Sequence, residues 1–206
     1  VFGTSRKPEH EDAHDFTMLP LDVDSDPSVL ACVNAVREQA GRIDVLINNA
    51  GYSIYGALEE TSLEEAKALF ETNLFGMMRM CKAVLPIMRE QRQGQIINIS
   101  SIGGLMGVPY MGLYTTTKFA LEGYSETLRH EVKAFGIHVS LIEPGDINTD
   151  IHEPHTAQRI ADYANIREQV YKVHMASMRS APSPEIVARV ILKAVQSKNS
   201  RLRYSV

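Results

Sequence analysis

Short runs of β-branched residues alternate with longer amphipathic stretches along this chain, and no other feature restricts its fold as much. Apolar runs stand at Val45-Leu46-Ile47, at Ile96-Ile97-Asn98-Ile99 and from Ile137 to Ile142. The first two are nearly continuous, as in strands buried on both faces. The stretches between them are helical in spacing. Asp26-Pro27 reads as an N-cap with proline at the first helical position, and Gly41 closes that segment. Ser62 to about Gln91 reads as one long helix, which Pro86 should kink or break. Leu121, Tyr124, Leu128, Val132 and Phe135 share a helix face, with Gly136 as the C-terminal stop. Pro184 to about Gln196 reads as the last helix and Arg203–Val206 as a final strand. Strand–helix alternation of this kind predicts a doubly wound parallel sheet with helices on both faces, in one domain spanning 1–206. The segment from about Asp146 to Ser180 has weaker periodicity and scattered His, Met and Tyr, and reads as a lid or helical excursion.

Composition narrows the function. A net charge of -4 without a basic block argues against nucleic acid. No apolar run approaches membrane-span length, and the first ten residues do not resemble a signal peptide. The only cysteines, Cys32 and Cys81, fall in separate helical patterns. That suggests two reduced core thiols in a cytoplasmic protein and no metal site.

The strongest local chemistry lies at Tyr114 and Lys118. Positions i and i+4 share a helix face, so a phenol and an ammonium can face one cleft. A nearby cation favours the phenolate over a phenol of ordinary pKa ~10. Among 8 tyrosines, chance supplies roughly 0.3 such spacings, so the pair alone proves little. Context adds weight. Ser101 lies thirteen residues upstream, at the C-terminal end of a predicted strand, where open parallel sheets bind ligands. By itself Ser100-Ser101 is as readily a turn or a helix cap. Asn48–Gly51 and Pro144–Thr149 follow two further strands in the same way.

The set LINNAG (46–51), Asn73 in ETNLFG, NISS (98–101), YTTTK (114–118) and PGDINT (144–149) resembles the short-chain dehydrogenase/reductase (SDR) family, in that family's order and over essentially the whole chain. The resemblance implies a Rossmann-like three-layer α/β/α fold and transfer of a hydride between a nicotinamide cofactor and a carbonyl or alcohol. It implies a catalytic tetrad of Asn73, Ser101, Tyr114 and Lys118. Tyr114 would be the proton donor in reduction, and Ser101 would bond the substrate oxygen. Lys118 would lower the phenol pKa and hold the nicotinamide ribose, and Asn73 would anchor a water relay to Lys118. Cofactor contacts are implied at Ser5, Arg6, Asp22 and Val23, at Asn49, Ala50 and Gly51, and at Pro144, Gly145, Ile147 and Thr149, besides Tyr114 and Lys118.

An arginine at the second strand's end suits a 2′-phosphate, so Ser5-Arg6 points to NADP(H) ahead of NAD(H). The substrate expected is a small, apolar carbonyl or alcohol of hydroxysteroid or retinol type. A 3-oxoacyl-thioester reductase is the runner-up. A non-catalytic dinucleotide-binding protein of the same fold is the contrasting class, against which the intact tetrad argues. The family usually pairs its long helices across a two-fold axis, implying a homodimer or homotetramer. One departure stands out. The family's first strand and Gly-rich pyrophosphate turn have no counterpart here, which implies that roughly 30–40 residues are absent from the front. With sheet order 3-2-1-4-5-6-7, the absent strand would leave Val1–Thr4 and Val45–Ile47 parallel, roughly 9–10 Å apart and without ladder bonds.

Overall fold

The computed structural model describes residues 1–8, 16–149, 151, 153–197 and 199–206. Six strands are assigned: β1 (Phe2–Ser5), β2 (Thr17–Pro20), β3 (Val45–Asn48), β4 (Gly94–Ile99), β5 (Ile137–Glu143) and β6 (Arg203–Ser205). Six α-helices accompany them: α1 (Asp26–Ala40), α2 (Leu63–Phe70), α3 (Met77–Gln91), α4 (Gly112–Val132), α5 (Ala164–Ser180) and α6 (Glu185–Gln196). All pairings are parallel: β1 with β2, and β3-β4-β5-β6 in that order. Among the described residues β1 and β3 share no ladder bonds.

The sequence of β4 and β5 explains the layers. Alternate residues point to opposite sheet faces. Ile96, Val139 and Leu141, each 0% exposed, join the core formed with α1, α3 and α4. Ile97 and Ile142 face the other way and pack with Ala194 of α6. Burying each such side chain stabilises the fold by about 1.5–3 kcal/mol. The prediction of full burial fails for β3, where Ile47 is 45% exposed. That strand has a ladder partner on one side only among the described residues, so its open edge leaves apolar surface uncovered.

Two local expectations need correction. Helix α1 is capped by Ser25, whose hydroxyl accepts from Ser28 N, so Asp26 and Pro27 are already inside it. Gly41 ends it in the left-handed region at φ 73, as the sequence indicates. The long helix begins at Ser62, which forms a capping box with Glu65. Its irregularity lies not at Pro86, which sits inside α3, but at a π turn over Glu71–Gly76. Asn73 is at the heart of that turn, and such turns concentrate at functional sites.

Candidate active site

Every predicted site residue in the loops follows the C-terminal end of a parallel strand, the end at which open α/β sheets bind ligands. Ser5 and Arg6 close β1, Asp22 and Val23 follow β2, and Asn49–Gly51 follow β3. Ser101 follows β4, and the 144–149 loop follows β5. Tyr114 and Lys118 lie in the first two turns of α4.

A cleft of about 350 Å³ opens at this end. Ser101, Tyr114 and Lys118 line it together with Asn49 and Gly51. Pro144, Gly145, Ile147 and Thr149 form another wall. Ser5, Arg6, Asp22, Val23, Ala50 and Asn73 are not in its lining. The first four sit on the β1–β2 half of the structure. Asn73 lies behind Gly51, where a Cβ would stand 3.1 Å from Asn73 Oδ1.

Ser101 caps a turn and stands beside Tyr114. Its hydroxyl accepts from Gly103 N at 3.1 Å, capping a short 3-10 turn. It also lies close enough to the Tyr114 phenol to lower the phenol's pKa. Gly104 permits this arrangement, because a Cβ there would meet Ser100 Oγ at 2.7 Å and Lys118 O at 3.2 Å. The close packing of α4 on the β4 turn therefore depends on a missing side chain.

Lys118 is 6% exposed. Its ammonium donates to Ile99 O at 2.7 Å and lies 5.6 Å from the Tyr114 ring centroid. Burial pulls its pKa down to about 8, and Glu122, one helical turn further on, opposes that shift. For Tyr114 burial dominates and raises the pKa; Ser101 lowers it, and the charge of Glu153 raises it again. Desolvation acts on both groups, disfavouring phenolate and ammonium alike.

A base whose pKa falls on folding binds fewer protons in the native state, so stability from Lys118 rises as pH climbs through the window between its folded value of about 8 and the unfolded value near ~10.4. From about pH 7.5 to 9.5 the parent protein is expected to gain about 1–2 kcal/mol of unfolding free energy relative to Lys118→Met. Urea titrations at the two pH values measure it. Parallel pH dependence of the two proteins would refute a desolvated Lys118.

Asn73, 1% exposed, clasps the loop after β3. Its Oδ1 accepts from Tyr52 N at 3.0 Å, while Nδ2 donates to Tyr52 O at 2.8 Å and to Thr117 Oγ1 at 3.2 Å. A parallel chain of side chains runs beneath the site. Asn48 Nδ2 donates to Asn98 Oδ1, Asn98 Nδ2 to Ser125 Oγ, and Ser125 Oγ to Leu121 O. It ties β3, β4 and α4 in fixed register. Asn98, Glu122 and Ser125 were not singled out in sequence, although Lys118 and Glu122 share the readable i, i+4 spacing.

The segment after β5 brings two further groups to the cleft. Glu153 and His174 both line it, with side chains 12% and 14% exposed and a contact of 3.1 Å from His174 Nε2 to Glu153 Oε2. That bond raises the imidazole pKa against the effect of burial. No periodicity or motif announces this pair, because the two residues lie 21 positions apart on a loop and a helix.

The protein-family model described as short chain dehydrogenase matches residues 4–160. The chain is 45% identical to 3-ketodihydrosphingosine reductase of Bacteroides thetaiotaomicron, over all of this chain and 78% of that protein. It is 38% identical to retinol dehydrogenase 8 of Bos taurus, over 91% of this chain and 62% of the relative. A short-chain dehydrogenase from Streptomyces avermitilis superposes with TM-score 0.88 at 34% identity, covering all of this chain and 78% of the other. ElxO, solved with NADP bound, gives TM-score 0.81 at 29% identity, covering all of this chain and 86% of its own. With this fold, this strand-end cleft and a matching family model over most of its length, the chain belongs to the short-chain dehydrogenase family and is an oxidoreductase acting on CH–OH and C=O groups.

Proposed function

We propose that the protein reduces an apolar ketone or aldehyde at the expense of NADPH, with Ser101, Tyr114 and Lys118 as its catalytic groups. The observation that carries this reading is their convergence, with the 144–149 loop, on one cleft. When bound, the cofactor supplies the hydride. Tyr114 Oη gives its proton to the carbonyl oxygen, and its raised pKa keeps that proton in place at neutral pH, which suits reduction. Ser101 Oγ hydrogen-bonds the same oxygen. Lys118 Nζ has three protons, and Ile99 O takes one, leaving donors for a ribose diol. The side-chain amide of Asn73 has both its donors engaged, so a water relay to Lys118 would need one of the Asn73 oxygens as its acceptor. Val108, Met111, Ile147, Ile151 and Met178 in the lining support an apolar substrate. So do the names of two relatives, one a keto-sphingosine reductase and one a retinol dehydrogenase.

The 2′-phosphate of NADP(H) would lie at the end of β1. Arg6 is exposed there, and no carboxylate among the described residues pairs with it. Asn49, Ala50 and Gly51, exposed after β3, and Asp22 and Val23 after β2 would flank the adenosine half. The NADP-bound neighbour supports the same preference. Replacing Arg6 with Asp should narrow or reverse the NADPH preference by about tenfold or more, since a carboxylate repels the phosphate and accepts from a free 2′-hydroxyl. Dissociation constants for NADPH and NADH in parent and variant measure it. Equal affinities in the parent protein would overturn the assignment.

The 146–180 segment serves as the lid in this reading. Arg167 of α5 ties it to Glu60 below the cleft. A homodimer or homotetramer in the cytoplasm belongs to the same proposal; the two buried free thiols, Cys32 and Cys81, support the reducing setting. Among the described residues no helix is long and apolar enough to cross a membrane.

A further inference from the structure

The cleft has a polar end that carbonyl reduction does not use. Glu153 Oε2 can only accept, so His174 Nε2 carries the proton between them. This leaves Nδ1 as the imidazole's free atom, and it has no partner among the described residues. Stacking on Tyr55, with ring centroids 6.1 Å apart and planes 11° apart, holds the ring orientation. Tyr55 is itself fully buried, and its hydroxyl donates to Arg167 O at 3.2 Å. The imidazole is therefore fixed from two sides and offers one nitrogen. In its neutral form that nitrogen accepts; in its charged form it donates. A hydroxyl group is both donor and acceptor, so it satisfies either form, whereas an ammonium or a second carbonyl satisfies only one.

We propose that His174, held by Glu153, is a specificity-determining residue that binds a hydroxyl group of the substrate, so that the substrate is a hydroxy-ketone or hydroxy-aldehyde and the product a diol. This rests on the reading of the cleft as a carbonyl-reducing site. The alternative role for the pair is a plain tie between the loop at Glu153 and helix α5. A tie would affect all ligands equally, whereas a hydroxyl reader discriminates between ligands that differ by one hydroxyl. A hydrogen bond to a charged or charge-assisted partner is worth about ten- to a hundredfold in affinity.

The test is equilibrium binding to the Tyr114→Phe enzyme carrying NADP, alone and with the His174 substitution added, so that the alcohols bind without being oxidised. Octan-2-ol is compared with the octanediols that bear a second hydroxyl at each of carbons 4 to 8. At one position or more the diol should bind about tenfold or more tightly than octan-2-ol, and His174→Gln should bring that ratio to within about threefold of unity. No diol preferred over octan-2-ol, or a preference unchanged in His174→Gln, would overturn the proposal. If His174→Gln does not fold, the uncharged pair Glu153→Gln/His174→Gln replaces it with the same two outcomes. Failure of the carbonyl-reducing reading shows separately, as absence of NADPH oxidation by the parent enzyme with the matching ketones.

Discussion

Tyr114→Phe is expected to lower kcat for carbonyl reduction by about 10²–10⁴-fold while NADPH affinity stays within about threefold. The phenyl ring retains the packing of the first turns of α4, and the Lys118 ammonium stays anchored on Ile99 O. Only the hydroxyl is lost, which is the proposed proton donor and lies beside Ser101. Burial makes this loss hard to replace, because water would have to enter the cleft in the right geometry to give the proton. Single-turnover oxidation of NADPH at 340 nm with a saturating ketone measures the chemical step, and fluorescence titration measures the cofactor. A variant that keeps more than a tenth of kcat, a barrier change under about 1.4 kcal/mol, would remove Tyr114 from the proposed role.

Arg167→Met should lower stability by about 3–5 kcal/mol. Its guanidinium pairs with Glu60, whose side chain is 0% exposed. Burial pushes the Glu60 carboxyl up, but N–H donors of Ile160 and Ala57 together with Arg167 outweigh it and hold it below the usual range. Ala57 N donates at 2.9 Å and Ile160 N at 2.8 Å. Removing the cation leaves a desolvated carboxylate with neutral donors only, which is the costly way to break such a pair. Because Ile160 and Arg167 both lie in the 146–180 segment, the damage should concentrate there. Urea unfolding of the single variant and of Glu60→Gln/Arg167→Met measures it. The double variant should recover at least half of the loss, since no charge is then stranded. A single-variant loss below about 1 kcal/mol would show that Glu60 does not depend on Arg167.

These two residues also mark the limits of reading the chain alone. Tyr114 and Lys118 stand four apart on one helix and Ser101 ends an apolar run, but the resemblance to the family, more than the spacing, marks them out. Local order does announce β4 and β5, where period-two alternation sends Ile96 and Leu141 to one face and Ile97 and Ile142 to the other. The capping glycines Gly41 and Gly136 were legible too, because positive φ excludes most side chains. The N-cap at Ser25 was missed by one residue, since Asp26-Pro27 competes for the same signal. The π turn was invisible, because the sequence marks Pro86 as the breaker while tertiary packing sets the irregularity at Asn73.

What the sequence by itself determined is the parallel α/β alternation and the strand ends that carry polar residues, since each depends on neighbours within a few residues; Ser101, Tyr114 and Lys118 stood out through the family resemblance. Only the tertiary structure decided that Tyr114 is buried enough for desolvation to raise its pKa. It alone joined Glu60 to Arg167, 107 positions apart, and Glu153 to His174, 21 positions apart. Desolvation and ion pairing depend on what surrounds a group in space. A linear pattern records which residues are adjacent in the chain, and these groups meet only when segments distant in the chain pack together.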